Sequence, residues 1–167
     1  MTVARFRDRL VIDEEKGELR DGAARYLMIR DDSLMGMFRA LPEAARAEAF
    51  AALARSIVEY GSKSAASYQA MGAQARDELL AVITATSPQI GWGRWTILAA
   101  DDDRLEIEVA NSPFVTGYGA SDKPVCAAIA GMVEALGGLV LGRGARAEEI
   151  SCAATGKAKC VFRAVPR

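Results

Sequence analysis

Near its C-terminus the chain reads Glu148-Glu-Ile-Ser-Cys-Ala-Ala-Thr-Gly-Lys-Ala-Lys-Cys-Val-Phe162. Two of its three cysteines, Cys152 and Cys160, stand eight residues apart with Gly156 midway. A three-residue hairpin loop at Thr155-Gly156-Lys157 pairs Ala154 with Ala158 and Ala153 with Lys159. Cys152 then lies directly opposite Cys160. Opposed side chains share a face, with Cβ atoms about 4.5–5.5 Å apart. Glycine supplies the positive φ that such a loop needs. The spacing therefore constrains the end of the chain to an antiparallel strand pair that presents two sulfurs together.

Three readings of that pair stand side by side. The sulfurs are small buried hydrophobes, which cysteine often is. They form a disulfide, which a reducing compartment disfavours. Or they hold a metal, and structural zinc takes four ligands. Cys126 supplies a third sulfur. It lies in the first turn of a helix predicted from Asp122 or Lys123 to about Leu141, with Pro124 at its start. A helix N-terminus favours the thiolate, the form that binds metal. The chain has no histidine. Ser-His and Cys-His nucleophile chemistry is excluded with it, and a fourth ligand has to be a carboxylate. Glu148 and Glu149 immediately precede the cysteine strand. Strict alternation puts Glu148 on the face of Cys152; Glu149 reaches that face only across a bulge.

The rest of the chain frames these residues. Its 167 residues suit one domain, taken as 1–167, and 51% are apolar, enough for a core without disulfides. Net charge is −1 with interspersed signs, unlike a nucleic-acid surface. No secretory h-region or membrane-length apolar run is visible, so a cytoplasmic protein is expected. Dinucleotide and P-loop fingerprints are missing.

Leu10–Ile12 and Ala24–Ile29 read as strands around a polar turn region, Asp13 to Gly22. Asp32 or Ser33 is positioned to cap a short helix through Leu41. Pro42 opens another, with Phe50, Leu53, Ile57 and Tyr60 on one face and Gly61 as a stop or bend. Ser64–Met71 and Arg76–Thr86 are two further helical stretches. Trp95–Ala100 and Leu105, Ile107, Val109 form a hairpin with Glu106 and Glu108 on its wet face, closed by Asn111-Ser-Pro113. In the glycine-rich helix Ala127, Gly131 and Ala135 recur every four residues, a ridge suited to close packing on a sheet.

Taken together, Ser121-Asp-Lys-Pro-Val-Cys126, the glycine-rich helix and Glu149-Ile-Ser-Cys152-Ala-Ala-Thr-Gly156-Lys-Ala-Lys-Cys160-Val-Phe162 resemble the 4-vinyl reductase domain family. That family includes sensory domains of phenol-responsive activators and bacteriochlorophyll 4-vinyl reductase proteins. The core of the resemblance runs from about Asn111 to Val165. It implies an α+β fold like that of vesicle-tethering subunits, an antiparallel sheet with helices packed against it, and a homodimer. It also implies structural zinc on Cys126, Glu149, Cys152 and Cys160, choosing Glu149 over the alternation argument and requiring an irregularity before Cys152.

A site with four protein ligands is structural rather than catalytic, so function is expected in a pocket. In the sensor relatives a histidine and a tryptophan hold the phenol hydroxyl; without histidine, that recognition does not transfer. Trp92, Trp95, Phe114 and Tyr118 are the candidate ligand-binding aromatics, each equally suited to the core. The leading expectation is a sensor or carrier module for a hydrophobic or aromatic small molecule, without its own ATPase or DNA-binding segment. A tetrapyrrole 4-vinyl reductase or its accessory protein is second. Reduction needs a hydride donor, and no nicotinamide or flavin motif is visible. A dimerising scaffold is third.

Overall fold

The structure is a computed structural model that describes residues 4–70 and 75–167. It opens with a helical turn, α1 (Phe6–Arg9), and a small antiparallel sheet of β1 (Val11–Asp13), β2 (Glu18–Asp21) and β3 (Ala24–Tyr26), in that order. The polar stretch expected to be a turn region thus contains a strand of its own. Glu18 and Arg20, two residues apart in β2, make an ion pair at 2.6 Å, and β2 is laddered to β1 and β3 on its two edges.

Helices α2 (Asp31–Ala40), α3 (Glu43–Ala70) and α4 (Arg76–Thr86) follow. Neither Asp32 nor Ser33 caps α2: the N-cap is Arg30, and the Asp32 carboxylate turns back to the Arg30 guanidinium. The Arg46 guanidinium donates to the carbonyls of Phe38 and Leu41 at 3.0 and 2.8 Å. The Phe38 carbonyl also accepts Leu41 N–H, so Arg46 adds a second donor there, supplies one to the Leu41 carbonyl at the helix end, and holds α2 against α3.

Gly61 does not stop the helix, for α3 runs through it to Ala70. A Cβ at Gly61 would lie 2.9 Å from Met132 Cε, so the glycine makes room for a neighbouring helix. The stretch beginning at Ser64 is the end of α3; Met71 lies outside the described residues. Phe50, Leu53 and Ile57 pack on the core, whereas Tyr60 is 58% exposed and leaves the expected face.

Strands β4 (Arg94–Ala100), β5 (Leu105–Ala110), β6 (Ala145–Ser151) and β7 (Cys160–Pro166) form a second, larger antiparallel sheet in the order β4-β5-β7-β6. Leu105, Ile107 and Val109 are buried, as their alternation predicts. Glu106 and Glu108 face outward and meet Arg163 and Lys159. The segment after β5 does not simply close the hairpin. Pro113 begins another helix, α5 (Pro113–Tyr118), because proline's fixed φ suits a first helical turn.

The glycine-rich helix α6 spans Ala127–Val140 and starts later than Asp122 or Lys123 would have it. It is sandwiched between α3 and the larger sheet, which explains why it is apolar except for Glu134. A Cβ on Gly131 would meet the Ala54 carbonyl oxygen at 2.5 Å. That part of the small-residue ridge therefore faces α3 rather than the sheet. Gly137 serves the sheet side, where its Cβ would strike that of Ala164 at 2.6 Å.

Candidate metal centre

Three segments converge at one end of this sandwich. Cys126 is the N-cap of α6. Cys152 follows β6 and precedes a 3-10 turn, Ala153–Thr155. Cys160 opens β7 opposite Val109. The β6–β7 connection is therefore longer than the expected three-residue loop, the backbone preferring a 3-10 turn closed by Gly156 at φ 82°. The expected register holds as far as Ser151, which pairs with Val161, whereas the expected pairs Ala153–Lys159 and Ala154–Ala158 give way to the 3-10 turn.

Between Glu149 and Ser151 that ladder shifts, because Glu149 pairs with Phe162 while Ser151 pairs with Val161. The extra residue is Ile150, 40% exposed. A bulge of this kind re-aims the preceding side chain, and it turns the Glu149 carboxylate to the sulfurs. Glu148 stays exposed in the ladder beside Arg163. The ligand atoms of Cys126, Glu149, Cys152 and Cys160 all lie within 4.8 Å of one another, and the group can hold a metal ion.

The surroundings fit a cation. All three cysteines are free and buried. Cys126 Sγ and Cys160 Sγ are 3.8 Å apart, well beyond the roughly 2.05 Å of a disulfide. Glu149 Oε2 accepts the Cys126 N–H at 3.0 Å, but Oε1 is buried with no hydrogen-bond partner. An orphaned buried carboxylate oxygen is costly, and a cation among the sulfurs would relieve it.

Protonation responds to the same crowding. Burial, with the adjacent Cys152, pushes the Glu149 carboxyl up to about 8. Hydrogen bonds shared with Cys152 and Cys160, then burial, push the Cys126 thiol up, whereas Cys152 is pulled down by the bonds it receives from Cys126 and Cys160. The helix start is therefore one influence among several on Cys126, whose sulfur is packed against two others. Its backbone N–H is turned to the Glu149 carboxylate.

The four aromatic candidates fall into three settings. Trp95 is core, its indole Nε1–H donating to the Trp92 carbonyl at 3.0 Å. Trp92 and Phe114 meet edge to face at 5.4 Å. Tyr118 lies by Phe50, which stacks on Phe38 at 4.4 Å. Of the four, Tyr118 lines an opening among the described residues. This is a cleft of ≈ 350 Å³ between the start of α3 and the loop before Cys126, floored by Phe50 and Val125 and bridged by the Glu43–Lys123 ion pair. In the sequence Phe50 is one member of a helix face, and its 3.6-residue period carries no hint of a cleft. Ser112 reads there as the end of a hairpin; in the structure it is buried, with Oγ 3.2 Å from Cys126 Sγ.

An α+β sandwich with a Cys3Glu cluster at a helix start and a bulged hairpin is a recognisable combination. Residues 105–166 match the profile of the V-4-R domain, the 4-vinyl reductase domain, which bears out the resemblance read from the cysteine segments. No curated protein matches the chain. Among solved structures, the phenol-responsive sensory domain of the transcription activator PoxR, determined with phenol, is 19% identical. The alignment covers 96% of this chain and 86% of that one, with a TM-score of 0.82. A vinyl-4-reductase family protein from Methanocaldococcus jannaschii is 15% identical over 83% and 96% of the two chains, TM-score 0.51. A trafficking protein particle complex subunit 3 from Naegleria fowleri, covalently bound to palmitic acid, is 11% identical over 82% and 95%, TM-score 0.58. At these identities the likeness is one of fold, and it agrees with the expected α+β architecture.

Proposed function

We propose that this chain is a zinc-stabilised small-molecule-binding domain of the sensor or carrier kind, taking a hydrophobic or aromatic ligand. The observation that carries the metal half is the unpartnered Glu149 Oε1 beside three free, buried cysteines. Thiolate donors in a closed set of four favour zinc in a structural role. Bound there, the ion would supply charge compensation and a cross-link. Cys126, Cys152, Cys160 and Glu149 would hold it, joining the start of α6 to the last hairpin.

The ligand half is supported by likeness of fold to a domain that binds phenol and to a subunit carrying palmitic acid. The cleft beside Tyr118 supports it too, since its size lies within the range of small-molecule sites. Homodimer formation belongs to the same reading. Leu27 and Met28 are 76% and 84% exposed, and Ile29, Val11 and Ile12 are exposed as well; exposed apolar side chains of this kind suit a second copy.

Metal analysis of protein purified without chelator tests the first half. About one zinc per chain is expected, largely lost in Cys152→Ser; metal-free protein would overturn it. Thermal shifts with phenols, long-chain fatty acids and a vinyl tetrapyrrole test the second half, alongside Ala47→Trp, which fills the cleft from an exposed position. A ligand shift abolished by that change, with metal content intact, is expected. A shift that survives it would move the ligand elsewhere in the domain, and no shift with any class would favour the scaffold reading. Sedimentation tests the dimer.

A further inference from the structure

We infer that Ser112 is a positioning residue for the metal centre, its hydroxyl donating to the Cys126 sulfur when a metal is bound; this rests on the zinc reading above. Ser112 stands at the N-cap of α5, directly before Pro113. Serine in that place ordinarily caps the helix by accepting a backbone N–H. Here it makes no such bond. The side chain turns inward instead, with Oγ 3.2 Å from Cys126 Sγ.

The backbone is shaped for that turn. Asn111, immediately before, adopts φ 58° and is the non-glycine residue with positive φ among those described. Asparagine tolerates that conformation better than most residues do. It swings the chain from β5 into α5 and brings Ser112 under the sulfur. α5 keeps its other ties: the Ser112 carbonyl accepts Thr116 N–H at 3.2 Å. The hydroxyl is therefore withheld from capping without loosening the helix.

Charge gives the contact its purpose. Three thiolates and a carboxylate around a divalent ion leave a net negative charge of about two, in a buried place. Among the described residues no ion pair reaches Glu149. Hydrogen-bond donors must offset that charge, and outer-shell donors of this kind tune metal affinity. Cys160 Sγ receives the Ala153 N–H at 3.4 Å, a backbone donor. Cys126 has Ser112, a side chain that substitution can remove. A metal-bound Cys126 carries no proton, so in that pair the hydroxyl alone can donate. The same contact links the centre to α5, at whose far end Tyr118 lines the cleft.

The test compares wild type, Ser112→Ala and Ser112→Thr by zinc competition against a chromophoric chelator and by the absorption spectrum with cobalt(II). Loss of one outer-shell donor weakens metal binding by roughly tenfold to a hundredfold. Ser112→Ala is expected to show that loss and a displaced sulfur-to-cobalt charge-transfer band, with the melting temperature of the metal-free protein unchanged. Ser112→Thr, which keeps the hydroxyl, is expected to restore both. Unchanged affinity and spectrum in Ser112→Ala would overturn the inference. So would equal losses in both variants accompanied by a lower metal-free melting temperature, since that marks a packing role. Wild type that binds neither zinc nor cobalt would overturn the metal reading itself, and this inference with it.

Discussion

In the larger sheet, β4-β5-β7-β6, Leu105, Ile107, Phe162 and Ala164 are completely buried beneath α6. In the smaller, β1-β2-β3, no residue is buried. The larger sheet is a hydrophobic layer with charges on its far side. The smaller is held by the Arg9–Asp21, Arg20–Glu18 and Arg25–Glu18 pairs and by the edge contact of Phe6 with Tyr26 at 5.3 Å. Exposed ion pairs contribute little, while buried apolar area contributes about 25 cal/mol per Å². The contrast teaches that one chain carries a self-sufficient layer and a small sheet whose apolar side chains, Val11 and Ile12, still face solvent. Such a sheet is suited to being covered by something else.

The largest expected effect breaks the hydrophobic layer. Phe162→Ala should cost about 3–5 kcal/mol in urea unfolding, as large aromatic truncations in cores do. Val11→Thr, the matching change in the small sheet, should stay within about 0.5 kcal/mol. Equal effects would erase the contrast.

Next comes close packing. Gly131→Ala drives a Cβ against the Ala54 carbonyl, and overpacking of this kind costs about 1–3 kcal/mol. Ala24→Gly, at an exposed place in β3, should cost about 1 kcal/mol or less.

The pH dependence separates the two regions by sign. Glu149 is raised to about 8 from an ordinary 4.5, so the folded metal-free protein holds a proton that the unfolded chain releases. Its contribution is complete below about pH 4.5 and is lost as pH climbs towards 8. Metal-free protein should therefore lose stability between those limits, and Glu149→Gln should flatten the slope. In the small sheet Glu18 and Asp13 are lowered by hydrogen bonds from Arg20 and Lys16. Their contribution is present above the ordinary carboxylate range and fades as pH falls below it. Denaturant midpoints across the pH range, for wild type and Glu149→Gln, check both signs.

The last test, modest in size, concerns the Arg9–Asp21 pair. It is bidentate, with contacts of 3.1 and 2.6 Å, and both side chains are only 15% exposed. A double-mutant cycle should give a coupling of about 1 kcal/mol, the upper end of the range for such pairs.

Several features are legible in the sequence alone. The alternation of Leu105, Ile107 and Val109 with two glutamates leaves one arrangement, because the side-chain period of a strand is two. Pro42 and Arg76–Thr86 announced their helices through local backbone chemistry. The eight-residue separation of Cys152 and Cys160 carried the register, although a longer turn was used to close it. All of these are short-range, and neighbours in sequence settle them.

Tertiary structure decided the rest. Gly61 reads as a helix stop, yet Met132 of another helix gives that glycine its reason. Gly131 faces α3 rather than the sheet because the Ala54 carbonyl lies where a side chain would go. Ser112 reads as the close of a hairpin until a sulfur fourteen residues away claims its hydroxyl. Alternation favours Glu148, and only the bulge at Ile150 brings Glu149 to the cysteines. Sequence by itself determined which residues can donate to a metal and which strands can alternate, because those are properties of single residues and fixed periods. Which carboxylate turns inward, and which glycine makes room for which neighbour, depends on contacts between distant segments, which exist only once the chain has folded.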